Sequence, residues 1–512
     1  MVDAPRRTSR LTPPLRIAVL QCRPGSGPYA EHDLEADPGR FLPEHEWTSL
    51  QLSKATAVRE LIDASRVGFD VYVNLCDGSW DEDSAGVEVP QALERLGCAY
   101  TGADPRSYDP SRVAMKLACH SVGVATPAFA SARTGAEAAR ILDALRPPLI
   151  VKHPQGYSSV GMTRASRVED EPALAREIDR VATAYGAALV EEFVEGREFT
   201  VLVAEPAEPG GDPLTFMPIE VLFPAGETFK HFDLKWIDYE QLHAAPVSDV
   251  ALDAELRAAA GAMFAALGTT GYARVDLRLA RDGTLHALEI NPNCDVFYPD
   301  GSFGSADLIL ALDPLGHRGF LQHIIDSALR RCDDRAARAD VRWAAAAGFG
   351  LFATRPLAAG EIVQRGEEQS VRLVSRDHVR FAWSPIERGW FHRYAWPLTD
   401  GVHAIWSDDP EQWRPLNHSC DPTTWLRGLD LVTRRRVAQD EELTIDYATF
   451  TGPELEPFDC ACGAPTCRGR IGPGDHLDRA LAARYGDHVS DYVRRARPAT
   501  APAPFDGNRE GA

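Results

Sequence analysis

The sequence predicts an α/β unit followed by a mainly β unit. Strands alternate with helical patterns from residue 16 to about residue 122, which indicates an α/β layer with a parallel sheet. Strands with antiparallel patterning follow, closed by a hairpin before residue 293. Past residue 342 the pattern changes to short strands and loops, with no long amphipathic helix until 476–495. A chain of 512 residues is too long for one core, and 44% hydrophobic with 25% charged residues is a globular composition.

In order, RIAVLQC (16–22) reads as a strand, LSKATAVRELIDAS (52–65) as a helix and DVYVNLCDG (70–78) as a strand. The helix VPQALERLG and a short strand AYTG (99–102) follow, then a helix at 111–122. PPLIVKHPQGYSSVGMTRAS (147–166) reads as strand, Gly/Ser loop and second strand, and 171–185 as a helix. ALVEEFVEGREFTVLV (188–203) and FMPIEVLF (216–223) carry the antiparallel pattern, and 249–267 is a long helix. YARVDLRLA (272–280) and LHALEINPN (285–293), joined through RDG, form a hairpin. The charged stretch 331–342 lacks an apolar period and marks the boundary between the halves.

The net charge of −21 is wrong for a general binder of nucleic acid. No window of about 18 uninterrupted apolar residues exists, so no helix is expected to span a membrane. The first residues, MVDAPRRTSRLTPPLR, lack an apolar core after their charges, so a cytoplasmic location is expected. Residues 1–14 and 497–512 are rich in Pro, Ala and Gly and are expected to be unstructured tails. Lysine occurs only at 54, 116, 152, 230 and 235, against 49 arginines. Where lysine persists in such a chain, a compact point charge is favoured over a planar fork.

Two segments carry chemistry in the first half. The loop after Lys152, HPQGYSSVGM, can wrap backbone N–H groups and hydroxyls around phosphate oxygens. In the hairpin, alternation puts Arg274 and Asp276 on one face, with Glu289 and Asn291 on the facing strand. Two carboxylates and an amide oxygen suit a hard cation such as Mg²⁺. A surface salt-bridge ladder is the competing reading, countered by the apolar opposite face of Leu279, Leu288 and Ile290.

With these stretches in view, residues 16–330 resemble an ATP-grasp enzyme of the D-alanine–D-alanine ligase type. NLCDG (74–78), GCAYTGA (97–103), AMKLACHSVGVATP (114–127), VKHPQGYSSVGM (151–162), VEEFVEGREFTV (190–201), FKHFDLKW (229–236), ARVDLRL (273–279) and LEINPN (288–293) stand in the family's order. The resemblance implies that Lys116 and Lys152 hold nucleotide phosphates under a loop carrying Ser158 and Ser159. It implies that Glu191 and the Val194 backbone meet adenine, Glu198 the ribose, and Lys235 the terminal phosphate. Asp276, Glu289 and Asn291 would hold two Mg²⁺, and Arg274 would steady charge on the acyl carbon. The implied reaction joins a carboxylate to an amine through an acyl phosphate at the expense of ATP. Departures concern the substrate: LQCRPGSGPYAEH in the first turn, Asp77 for a histidine, Trp236 for a tyrosine, and NPNCDVFYPDGSFG for a small-residue pocket. D-Alanine is therefore not the expected substrate.

In the second half, Cys460, Cys462 and Cys467 lie within eight residues, with Cys420 available from NHSC. Four thiolates complete a tetrahedral structural Zn²⁺ site. GFGLFATRPLAAGEIV (348–363), RPLNHSCDP (414–422) and ELTIDYATF (442–450), followed by the cysteine run, resemble a SET-domain methyltransferase with a post-SET zinc motif over 341–472. The resemblance implies that the Phe349 backbone, Asn417 and His418 contact S-adenosylmethionine, and that Tyr447 sits at the methyl-transfer point. It also implies that Cys420, Cys460, Cys462 and Cys467 bind one zinc. Phe450, Trp383 and Trp390 are candidates for the acceptor channel. Thr423, where the family pattern has asparagine, is a departure.

The expected organisation is a tail (1–14), a pre-ATP-grasp α/β domain (15–112), an ATP-grasp domain (113–330), a linker (331–340), a SET domain (341–458), a post-SET motif (459–472), a C-terminal helix (473–496) and a tail (497–512). The leading expectation is a bifunctional enzyme, an ATP-dependent carboxylate–amine ligase joined to an S-adenosylmethionine-dependent N-methyltransferase, acting on small molecules or peptides. One alternative is a protein-lysine methyltransferase whose ATP-grasp half is a nucleotide-binding regulatory or recognition module. Another is a non-enzymatic nucleotide sensor. No nucleic-acid or membrane partner is expected, and a homodimer is left open.

Overall fold

The computed structural model describes residues 14–24, 35–79, 83–155, 159–208, 210–236, 238–299, 304–335, 338–344, 348–366 and 369–497. Both expected tails fall almost wholly outside the described residues. The chain divides into two compact units, Met1–Arg335 and Ala336–Ala512.

Among its described residues the first unit holds three sheets. Strand Arg16–Cys22 is central in a parallel sheet, flanked by Glu46–Leu52 and Val71–Asn74. Helices Ala57–Ser65 and Glu88–Arg95 cover it, burying Leu61, Val89 and Leu93 against Leu20 and Tyr72. The strand Glu46–Leu52 is absent from the sequence pattern because only its last residue, Leu52, is buried. AYTG forms only an isolated bridge, Tyr72 to Tyr100, so the short strand expected there does not form.

The second sheet is antiparallel, in the order Phe129–Ala132, Ala188–Glu192, Leu149–Lys152, Arg167–Val168. Helix Glu171–Tyr185 packs on it, opened by the Asp170 side chain accepting from Ala173 N (2.8 Å) and closed by left-handed Gly186. The third sheet runs His243–Pro246, Ile219–Leu222, Gly196–Ala204, Tyr272–Ala280, Leu285–Pro292, with Leu214–Thr215 paired to Gly196–Ala204. Helix Val250–Ala266 buries Leu252, Leu256, Ala260, Met263 and Phe264 against it, a helical stripe at i, i+4, i+8, i+11 and i+12. ALVEE and GREFTVLV thus belong to different sheets, the second and the third, with Phe193–Glu195 between them.

The stretch expected as a linker, 331–340, is mostly regular structure. Helix Gly316–Arg335 continues through its first half, and strand Ala339–Ala344 begins near its end. Ion pairing replaces the missing apolar period: Arg331 reaches Glu205 at 2.6 Å and donates to Tyr100 O at 2.7 Å.

The second unit is mainly β. Its central sheet runs Ala339–Ala344, Gly348–Ala353, Glu442–Ile445, Asn417–His418, the last pair parallel. Two three-stranded sheets adjoin: Ile362–Gln364, Asp430–Thr433, Thr424–Arg427, and Val371–Ser375, Val402–Trp406, Trp396–Pro397. Phe458–Asp459 pairs with Arg470–Ile471 around the cysteine run. The expected single helix over 473–496 is two short ones, Arg479–Tyr485 and Asp491–Ala496. Gly486, at φ +51°, ends the first, and the Ser490 side chain caps the second by accepting from Val493 N.

Candidate functional site

The hairpin Tyr272–Ala280/Leu285–Pro292 organises the first site. Arg274 faces Asn291 and Asp276 faces Glu289 in its register. Immediately beside the second pair the register slips, so that Leu277 faces Ala287 and Leu288 has no partner. Such a bulge re-aims the neighbouring side chains. Val275, Leu277, Ala287 and Ile290 fill the core on the opposite face.

Arg274 Nε lies 3.3 Å from Asp276 Oδ1, and Arg112, on helix Arg112–Ser121, pairs with Glu289. Burial opposes ionisation of Asp276, but Arg274 and Lys230 outweigh it and hold the carboxyl well below its usual range. Arg112 likewise holds the half-buried Glu289 carboxyl below its usual range, so the site keeps two ionised carboxylates, the donor chemistry a hard divalent cation requires. Asn291 is buried and its Nδ2 has no partner, so its amide is not used up within the protein fold.

Glu191, 1% exposed, gathers two lysines: Lys116 Nζ and Lys152 Nζ each stand 2.7 Å from one of its oxygens. Burial would raise this carboxyl, yet Lys152, Lys116 and Arg112 hold it down at about 2. Lys116 also donates to Pro127 O at 2.9 Å. Burial pulls the Lys235 ammonium down to about 8, with Arg274 adding to the effect.

Three residues that sequence reasoning passed over join this cluster. Lys230 Nζ stands 2.9 Å from Glu198 Oε1, and Arg278 Nε and Nη2 donate to Glu198 Oε2 at 3.0 and 2.8 Å. Arg278 Nη1 also donates to Val194 O at 2.8 Å. Alternation from Arg274 and Asp276 already put Arg278 on the site face, and lysine scarcity pointed to Lys230; no sequence signal pointed to Arg112. Glu198, expected near a ribose, therefore has both oxygens engaged by cations. Ser159 takes φ +60° and its hydroxyl donates to Lys230 O at 2.8 Å; Ser158 lies outside the described residues.

In the second unit, the Sγ atoms of Cys420, Cys460, Cys462 and Cys467 all lie within 4.8 Å of one another. Backbone N–H groups of Arg468 and Gly469 donate to Cys420 and Cys467 Sγ at 3.3 and 3.4 Å. A tetrahedral ion with sulfur at about 2.3 Å fits such a set. The parallel pairing of Asn417–His418 with Glu442–Ile445 brings the two motifs together. Asn417 Nδ2 donates to Phe349 O (3.2 Å) and Glu442 Oε1 (2.7 Å). Tyr447 N donates to His418 Nδ1 at 3.2 Å, and Tyr447 Oη donates to Leu416 O at 2.9 Å. The Tyr447 ring contacts those of His418, Phe450 and Phe458 at 5.3, 5.5 and 5.9 Å. Burial lifts its phenol to about 12, so it stays protonated. Trp383 and Trp390 do not join this ring cluster; they pack with Val379, Phe391 and Ile405.

A family model described as D-ala D-ala ligase C-terminus matches residues 119–295, and one described as SET domain matches residues 348–448. The D-alanine–D-alanine ligase of Xanthomonas axonopodis pv. citri is 32% identical over 229 residues, covering 44% of this chain and 68% of that one. That of Janthinobacterium sp. is 33% identical over 245 residues, covering 46% and 72%. The chain belongs to the D-alanine–D-alanine ligase family. A solved D-alanine–D-alanine ligase from Bacillus anthracis aligns at 21% identity and a TM-score of 0.47, over 63% of this chain and 100% of that one. This ligase-family chain has an ATP-grasp fold in its first unit and carries a SET domain in its second. It is an ATP-dependent ligase fused to a SET methyltransferase. Among the described residues, no helix of this ligase-family chain is long and apolar enough to cross a membrane.

Proposed function

We propose that the ligase unit joins a small-molecule or peptide carboxylate to an amine through an acyl phosphate, and that the SET unit methylates an amine from S-adenosylmethionine. The observation that carries the first half is the hairpin register, which sets Asp276 against Glu289 and Arg274 against Asn291. Asp276, Glu289 and Asn291 would hold two Mg²⁺, which when bound offset the charge of phosphates and carboxylate brought together. Lys116, Lys152 and Lys235 would pair with phosphate oxygens, Lys116 and Lys152 leaving Glu191 as they do so. Glu191 and the Val194 backbone would then meet the adenine, and Glu198 the ribose side. Ser159 would fix the covering loop through Lys230, and Arg274 would steady charge on the acyl carbon.

In the SET unit, the Phe349 backbone, Asn417 and His418 would hold S-adenosylmethionine, which when bound supplies the methyl group. Tyr447, with Phe450 and Phe458, would line a narrow aromatic channel that strips water from the amine, favouring its neutral, nucleophilic form. One zinc on Cys420, Cys460, Cys462 and Cys467 would fold the post-SET segment over that site.

The deciding experiment measures phosphate release from ATP and Mg²⁺ with a panel of amino acids, no protein acceptor present. Amino-acid-dependent release supports the ligase; its absence across the panel, with methyl transfer to protein lysine, favours a nucleotide-binding regulatory role for the first unit. The first-strand turn LQCRPGSGPYAEH, Asp77, Trp236 and the NPNCDVFYPDGSFG stretch, which depart from the D-alanine pattern, predict that D-alanine is not the preferred substrate. Robust D-alanyl-D-alanine synthesis overturns that point.

A further inference from the structure

On the reading that S-adenosylmethionine is the methyl donor, we propose that Glu442 is a positioning residue for it. Glu442 turns the Asn417 amide so that the amide oxygen accepts from the donor's α-ammonium, and its carboxylate supplies the countercharge.

A side-chain amide has two N–H donors on its nitrogen and an acceptor oxygen. Asn417 Nδ2 spends its donors on Phe349 O at 3.2 Å and Glu442 Oε1 at 2.7 Å. Turned over, the amide would set its oxygen against a carbonyl and a carboxylate. These two acceptors therefore fix which way it faces. Asn417 Oδ1 points away from both and takes no donor among the described residues.

Glu442 opens the strand Glu442–Ile445, whose parallel partner begins at Asn417, and Phe352 faces it from the strand Gly348–Ala353. Gly350 on that strand leaves room for the pair. A Cβ there would lie 2.4 Å from Glu442 Oε1 and 2.8 Å from Asn417 Nδ2. Glu442 is half-buried, and among the described residues it forms no ion pair. A carboxylate withdrawn from water without a cation is unfavourable, and a ligand that brings one offsets the loss. An α-ammonium offers three donors, no acceptor and a positive charge, which suits an amide oxygen beside a carboxylate. The adenine amino group also donates, but it carries no charge to answer Glu442.

The test is calorimetric binding of S-adenosylhomocysteine and of its des-amino analogue to the full, zinc-loaded chain. In the unaltered chain, losing the ammonium should weaken binding roughly tenfold or more, the worth of a hydrogen bond to a charged group. Glu442→Gln keeps an oxygen for Asn417 and loses the charge. In that variant S-adenosylhomocysteine should weaken by a similar factor while the analogue binds as before, so the two ligands converge. The KM for S-adenosylmethionine should rise with kcat little changed. Equal weakening of both ligands marks a merely structural role and overturns the proposal, as does unchanged S-adenosylhomocysteine binding in the variant. Where the variant fails to fold, the unaltered chain still decides: an analogue bound as tightly as S-adenosylhomocysteine overturns the proposal. A chain that binds neither ligand overturns the methyl-donor reading itself, a result distinct from these.

Discussion

Lys230 Nζ stands 2.9 Å from Glu198 Oε1, and Glu198 shares its other oxygen with Arg278. With Lys116 and Lys152 both on Glu191 and Lys235 half-buried near Arg274, four of the five lysines belong to one site. The fifth, Lys54, donates to Ser79 O at 2.8 Å.

That distribution predicts an asymmetric response to charge-conserving substitution. Lys116→Arg, Lys152→Arg, Lys230→Arg and Lys235→Arg should each weaken ATP binding or turnover, because a planar fork does not replace a compact point charge. Lys54→Arg should leave both unchanged. Calorimetric ATP binding across the five variants checks this; equal tolerance at all positions contradicts it.

Removing one charge from the facing carboxylates should be more severe. Glu289→Gln removes the ion pair to Arg112 and deletes a candidate metal oxygen, so ATP turnover should fall beyond the roughly 10–100-fold cost of losing an outer partner of a metal ligand. Phosphate release at saturating ATP and graded Mg²⁺ is the measurement. Unchanged turnover refutes the metal assignment.

Asp446, 0% exposed, is held by Arg468 Nη1 and Nη2 at 2.7 and 2.8 Å and by Tyr485 Oη at 2.9 Å. It ties the turn bearing Tyr447 to the cysteine run and to helix Arg479–Tyr485. Tyr485→Phe removes one hydrogen bond to a buried charge and should cost about 1.5–3 kcal/mol of stability in the SET unit. Methyl transfer should fall, with zinc content unchanged. Chemical denaturation and elemental analysis check both halves.

Cys467→Ser should lower zinc content and abolish methyl transfer, since folding energy in small zinc modules is largely metal-binding energy, about 10–16 kcal/mol in zinc-finger peptides. ATP turnover should persist, because every residue of the ligase site lies within Met1–Arg335. A variant that keeps its zinc and full methyl transfer defeats the four-cysteine site.

Much of the ligase site was readable because it sits on regular structure. Period-two alternation assigns Arg274, Asp276, Glu289 and Asn291 to one face, and the hairpin register pairs them so. The cysteine spacing likewise announced its cluster. Elements held by charge escaped the pattern: the helix end at Arg335 rests on Arg331–Glu205, which has no apolar period to find.

By itself, the sequence determined the order of the two units, the strands and helices whose apolar periods point at a core, and the residue types concentrated at each site. Only the tertiary structure decided which cation meets which carboxylate. Arg112 reaches Glu289 across 177 residues and Arg278 reaches Glu198 across 80. It also decided that Trp383 and Trp390 pack on Val379, Phe391 and Ile405. Such pairings depend on how sheets stack, and burial then makes each one strong, because a charge removed from water must find its partner within a few ångströms.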